Sequence, residues 1–134
     1  MIIDTGILYA LADRDDGAHR SARAIFALPE PKLVPEPVIA ETDYLVRKNL
    51  GVNAEIGFLR GVVEGSFAAL SPQHADRERA SELVERYRDL DIGYVDAIVV
   101  AIAERLSETR IATIDRRDFL AIRPRHVEAF ELLP

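Results

Sequence analysis

The sequence predicts an α/β protein with a mostly parallel central sheet covered by helices on both faces. Three observations predict it. Short apolar runs at 1–4, 32–35, 67–70, 111–114 and 128–133 have the length of strands, and the stretches between most of them carry apolar residues at helical spacing. Those stretches are long enough to serve as crossovers, which parallel neighbours require. Two of the runs stop abruptly at an acid, Asp4 and Asp115, as buried strands do where they emerge at a sheet edge. With 134 residues, the chain is expected to form one domain over 1–134 that buries a core without crosslinks.

In chain order, 1–4 reads as a minimal strand, and 5–12 as a helix with Thr5 near its cap. The cluster Asp13-Arg-Asp-Asp-Gly17 ends it. A second amphipathic helix covers 18–28, with Ala22, Ile25 and Phe26 inward and Pro29 as its stop. The strand at 32–35 sits between prolines. Pro35-Glu-Pro37 then opens a third helix, because the first helical N–H groups have no partner for a proline to remove. This helix carries Glu41 in its opening turns and Leu45, Val46 and Leu50 on its apolar side, and Gly51 closes it. A helix at 52–65 is weakened by Gly57 and Gly61. After the strand at 67–70, stopped by Ser71-Pro72, a charged helix over 73–90 turns Ala80, Leu83, Val84 and Tyr87 inward.

The next helix starts after Gly93. Its Val95, Ile98, Val99, Ile102, Ala103 and Leu106 form a stripe wide enough to lie against a sheet. Asp96 falls in its first turn, where the helix dipole favours a carboxylate. The strand at 111–114 carries Asp115 at its carboxyl end, and 128–133 alternates as a final edge strand.

Composition narrows the function. There is no cysteine, which excludes disulfides, zinc–thiolate sites and a cysteine nucleophile, and suits a reducing compartment. The chain starts without the pattern of a signal peptide, and no apolar run approaches the roughly 18 residues of a membrane span, so a cytoplasmic protein is expected. Twenty-three acids against seventeen bases give a net charge of −6, which argues against gripping nucleic acid through a global field and leaves room for a local basic rim. No Gly-x-x-x-x-Gly-Lys-Ser/Thr cradle is present. Gly57, Gly61 and Gly65, at fourfold spacing, suggest a close-packed dimer face.

The acids carry the chemistry. Asp4 and Asp115 close strands, while Glu41 and Asp96 lie in the first turns of helices. Where parallel strands are neighbours, their carboxyl ends and the following helix starts share one edge, so four carboxylates converge there. Unaided, they repel, and some take up protons. A hard divalent cation such as Mg²⁺ or Mn²⁺ removes the conflict, since it prefers oxygen ligands and binds through a few carboxylates plus substrate phosphate oxygens. Such a site supports attack of water on a phosphodiester, with one ion or with two about 3.5–4 Å apart. Singly, each acid reads better as a cap or a solvated surface group; their joint placement reverses that preference and leaves the substrate open. His19, His74 and His126 show no pattern of a paired-histidine mechanism.

Taken together, Asp4-Thr5, Glu41, Gly93-Tyr-Val-Asp96-Ala and Ile111-Ala-Thr-Ile-Asp115-Arg-Arg-Asp-Phe119 resemble a PIN domain, specifically the VapC-type toxins of prokaryotic toxin–antitoxin modules. The resemblance covers essentially the whole chain and is most specific in its C-terminal part. It implies a three-layer α/β/α sandwich and a Mg²⁺- or Mn²⁺-dependent endoribonuclease that blocks translation by cutting transfer or ribosomal RNA. It also implies a homodimer, and inhibition by a cognate VapB-type antitoxin whose segment occupies the active-site groove. Position by position, Asp4, Glu41, Asp96 and Asp115 match the family's four acids, and Thr113 matches a hydroxyl residue that commonly lines the site. Around them, Thr113, Thr5 and Asp118 are expected as supporting residues of the site, Thr5 reading as a helix cap more than a metal contact and Asp118 as the cap of a short turn more than a fifth acid. Arg116, Arg117, Arg47 and Lys48 are candidates for RNA phosphate contacts, with surface solvation the competing role. Tyr9, Tyr44 and Phe119 read as packing residues.

Two other functions are compatible with the residues. In the first, Asp4 forms an aspartyl-phosphate; enzymes of the haloacid dehalogenase group carry a second aspartate two residues on, where this chain has Gly6. In the second, the acids bind a basic partner segment without catalysis.

Overall fold

A computed structural model describes residues 1–134. The elements run β1 (Ile2–Ile3), α1 (Thr5–Ala12), α2 (His19–Phe26), β2 (Leu33–Pro35), α3 (Glu36–Leu50), α4 (Val52–Val63), β3 (Ala68–Leu70), α5 (His74–Arg86), a 3-10 turn (Arg88–Leu90), α6 (Tyr94–Leu106), β4 (Arg110–Ala112), α7 (Arg117–Ala121) and β5 (Glu131–Leu133). The sheet order is β3-β2-β1-β4-β5, and every pairing is parallel. The expected "mostly parallel" sheet is thus wholly parallel, because the edge strand β5 runs alongside β4. The chain winds outward from β1 to β3, then crosses back to β4. Right-handed crossovers put α1 to α4 on one face and α5 to α7 on the other, giving the α/β/α layering. Strand order reverses between β1 and β4.

Ile2, Ile3 and Ile111 of these two central strands are fully buried. Against them lies α6, whose residues from Ala97 to Ala103 are all buried. Its apolar surface therefore wraps the whole circumference rather than forming the expected single stripe, because α5 covers the side away from the sheet. Two ion pairs pin α5 to α6. Arg79 grips Glu104 with Nε at 2.7 Å and Nη2 at 2.9 Å, and Arg105 Nε reaches Asp76 at 2.9 Å.

Several boundaries differ from the sequence expectation. The charged helix stops at Arg86 instead of 90, since Tyr87 leaves helical geometry (φ −106°, ψ 29°). Val84, expected inward, is 38% exposed. β4 ends at Ala112; Thr113 still donates its N–H to the Leu133 carbonyl at 2.8 Å, but Ile114 is already out of the sheet and 45% exposed. On α3 only Val46 of the expected apolar trio is fully buried, with Leu45 and Leu50 half-buried. The helix after Gly51 ends at Val63, so Gly65 (φ 76°) lies in the turn beyond it. Gly57 and Gly61 line an apolar groove of about 340 Å³ shared with Leu8, Leu11, Phe58 and Phe67. The glycine row therefore faces that groove, while Val52, Ile56, Leu59 and Val63 of the same helix are exposed. No helix is long and apolar enough to cross a membrane.

Candidate active site

Register builds the site. Ile2 pairs with Ile111 and Ile3 with Ala112, so the next residues, Asp4 and Thr113, stand side by side at the carboxyl ends of β1 and β4. The Asp4 N–H donates to the Ala112 carbonyl at 2.9 Å. Thr113, 1% exposed, places its Oγ1 2.7 Å from Asp4 Oδ2 and 3.0 Å from the Asp115 carbonyl. A hydroxyl has one proton, so it donates fully to only one of these acceptors at a time.

Around this pair lies a cleft of about 320 Å³. Asp4, Glu41, Asp96 and Asp115 all line it, together with Asp118 and Asp16. It sits where strand order reverses, the place at which an open α/β sheet leaves a crevice between diverging helices. α3 delivers Glu41 from its second turn, and α6 delivers Asp96 from its first. None of the three histidines lines it.

The electrostatics show how crowded the acids are. Asp96 is pushed up to about 7, first by burial, then by the charges of Asp4 and Asp118, a hydrogen bond with Asp118, and the charge of Glu41. The dipole of α6 favours its anion but is outweighed, since an end-of-helix effect is worth about 0.3–1 kcal/mol. Asp4 is also raised. Burial is the largest cause; the Thr113 hydroxyl and the Thr5 N–H oppose it, and the charges of Glu41 and Asp115 add to it. The donor set is all oxygen, and burial together with mutual repulsion raises two of its members, Asp96 and Asp4. A hard divalent cation fits such a set. No three acidic or imidazole side chains enclose one point, so the chain offers an open carboxylate face rather than a closed cage. Mg²⁺ suits that arrangement, as it keeps several waters and needs one or two direct carboxylates.

Several neighbours take roles other than those expected. Thr5 makes no capping hydrogen bond; Asp4 holds the cap position, and Thr5 Oγ1 donates to Glu41 Oε2 at 2.6 Å, tying α1 to α3. Asp118 does not cap α7 either. It is buried in the cleft beside Asp96, and Arg117 Nε bonds its Oδ1 at 2.7 Å. Tyr9 lines the cleft instead of packing in the core, Tyr44 is 62% exposed, and only Phe119 is a core residue. Of the four basic candidates, Arg47 is engaged by Glu55, Arg116 by the Pro134 carbonyl and Arg117 by Asp118, whereas Lys48 lies over the Tyr44 ring. Tyr9 and Asp16 escaped sequence reasoning. One signal for Tyr9 was available: it lies four residues after Thr5, hence on the same face of α1.

Fold and cleft together define a class, a doubly wound α/β protein with a carboxylate-lined crevice at its switch point. The PIN domain profile matches residues 1–123. Over 135 aligned residues the chain is 37% identical to Ribonuclease VapC26 of Mycobacterium tuberculosis, with both sequences covered in full. The chain belongs to the PIN domain family, among the VapC ribonuclease toxins of toxin–antitoxin modules. Solved structures share its fold. VapC20 of Mycobacterium tuberculosis, a sarcin-ricin loop cleaving toxin, superposes with a TM-score of 0.81 at 19% identity over 87% of this chain and 91% of that one. VapBC2 of Rickettsia felis, bound to a DNA fragment from its promoter, gives 0.72 at 15% identity over 99% and 98%. A toxin–antitoxin complex from Klebsiella pneumoniae gives 0.65 at 23% over 90% and 91%.

Proposed function

We propose that this chain is a Mg²⁺- or Mn²⁺-dependent endoribonuclease that acts in the cytoplasm as the toxin of a toxin–antitoxin pair, cutting RNA and so blocking translation. The observation that carries the proposal is the convergence of Asp4, Glu41, Asp96 and Asp115 on one cleft in which Asp96 is pushed up to about 7. One or two of these carboxylates would hold the ion directly and the others through its waters. Once bound, it would supply the positive charge that orients and acidifies a water and steadies the leaving oxygen of an in-line displacement. Thr113 holds Asp4, Thr5 holds Glu41, and Asp118 braces Asp96. The kinship with a protein named a ribonuclease and the likeness to a sarcin-ricin loop cleaving toxin support RNA, transfer or ribosomal, as the substrate.

A VapB-type antitoxin and a second copy of the chain are the protein partners of this reading. The exposed apolar face of α4 supports such contacts, since a soluble helix without a partner carries a polar outer face. The aspartyl-phosphate alternative gains nothing: at Gly6, where its second acid would stand, a side chain would begin 3.3 Å from the Ile114 Cβ.

The test is to incubate the purified, antitoxin-free protein with total cellular RNA and Mg²⁺ or Mn²⁺, and to map the ends. Discrete cuts are expected, lost with chelator and reduced at least a hundredfold in Asp96→Asn. Intact RNA under every metal condition, with metal binding confirmed by titration, would leave the non-catalytic binding module as the better account.

A further inference from the structure

A stripe of α3 leads out of the cleft and carries chemistry that the acids do not use. Glu41, Tyr44 and Lys48 stand at i, i+3 and i+7, hence on one helix face. Glu41 lines the cleft. Tyr44 is the most exposed tyrosine of the chain, at 62%, and the Lys48 Nζ stands 5.7 Å from its ring centroid. Lys48 has no carboxylate partner, unlike its neighbour Arg47, which Glu55 engages. The helical rise places Tyr44 about 4.5 Å and Lys48 about 10 Å beyond Glu41 along the axis. A second tie joins the stripe to the cleft wall: Asn49 Nδ2 lies 3.4 Å from the hydroxyl of Tyr9, itself a cleft residue.

We infer that Tyr44 and Lys48 form a subsite for an unpaired nucleotide flanking the scissile phosphate, with a base stacked on the Tyr44 ring and a backbone phosphate on Lys48. The inference rests on the ribonuclease reading and narrows its substrate to RNA that is single-stranded at this point. In a chain of net charge −6 whose cleft is itself acidic, affinity for flanking RNA has to come from outside the cleft. Stacking supplies it without charge and tolerates any base, while one free lysine anchors the backbone. Bases in an A-form duplex are not available to stack on a side chain, whereas those of a loop are. A protein partner could also cover an exposed tyrosine. The unpaired cation over the ring and the continuity with the acidic cleft favour RNA.

The experiment measures binding of a labelled mixed-sequence single-stranded oligoribonucleotide, by fluorescence anisotropy, to the full chain carrying Asp96→Asn in Mg²⁺. Adding Tyr44→Ala is expected to weaken binding at least fivefold, and Tyr44→Phe to leave it within twofold. Lys48→Ala is expected to lower the slope of log Kd against log salt by about 0.7. In the active protein, Tyr44→Ala is expected to raise KM with kcat unchanged. Circular dichroism matching the Phe variant shows that the Ala variant folds. Parental affinity and KM in Tyr44→Ala would overturn the subsite alone, and a changed sedimentation coefficient with RNA affinity intact would reassign the stripe to a protein interface. If the unsubstituted protein neither binds nor cuts RNA, the ribonuclease reading falls and takes the subsite with it.

Discussion

Asp96 is a carboxylate that holds its proton near neutral pH, and this has consequences for stability. Its folded value of about 7 lies above the ordinary 3.8, so the folded state binds a proton that the unfolded state releases. The stability that this proton contributes is present at low pH and is lost as pH rises through 7. The shift sets a ceiling of about 4 kcal/mol, and solvent screening of this half-buried group together with its coupling to Asp4 brings the contribution well below that. In chelator, the metal-free protein is therefore expected to melt at a lower temperature at pH 8 than at pH 5.5. Asp96→Asn should abolish most of that difference and be the more stable protein at pH 8, at the expense of activity. Glu108 is lowered, since burial, which would raise it, is outweighed by its bonds with the terminal ammonium and with the Arg110 and Thr109 N–H groups; it acts in the opposite sense but only at more acidic pH. A melting temperature that is flat or rising from pH 5.5 to 8 would rule this account out. The four acids were readable because strand ends and helix starts are sequence features. Tyr44 was misread as a packing residue, and Asp118, expected as a supporting residue, was wrongly preferred as a turn cap, because exposure and convergence depend on which neighbouring element covers a residue, and no local pattern encodes that.

At the scale of elements, α6 depends on α5. It is buried on all sides, yet its last turns carry Glu104 and Arg105, each matched by an opposite charge on α5. Arg79 is 8% exposed and holds both Glu104 oxygens, and Glu104 Oε1 also accepts the Arg125 N–H at 3.0 Å. Removing one partner of such a pair leaves a desolvated charge, which costs about 3–5 kcal/mol. Arg79→Ala is accordingly expected to lower the urea midpoint by a large fraction of the total stability with the m-value unchanged. A change below about 1 kcal/mol would show that water enters and solvates Glu104 freely. The sequence marked both helices through their apolar periodicity but not this clamp, since the paired residues are 25 and 29 positions apart. It also overran the end of α5, because Tyr87 has the character of a helix residue and only its φ and ψ show the break.

For the whole molecule, winding order puts the acids together. The chain leaves β1 in one direction and reaches β4 only after crossing back, so residues about 110 positions apart meet as neighbours, as the Thr113–Asp4 hydrogen bond records. Alternating strand and helix patterns made the parallel sheet readable, and a parallel sheet implies that strand ends share an edge. The order of strands within it was not readable, because apolar strands of two or three residues carry too little information to name their partners. That convergence sets native carboxylates against one another, so folding itself should respond to a divalent cation. An ion that binds only the folded protein stabilises it by RT ln(1 + [L]/Kd), about 2.7 kcal/mol at a hundred times Kd, which for a chain of this size raises the melting temperature by roughly 10 °C. The expected result is a rise with the logarithm of Mg²⁺ concentration at pH 8, largely absent in Asp4→Asn and far beyond the effect of sodium chloride at matched ionic strength. Equal responses to the two salts would mean that the ions merely screen the surface charge of −6, and that the cleft holds no cation of its own.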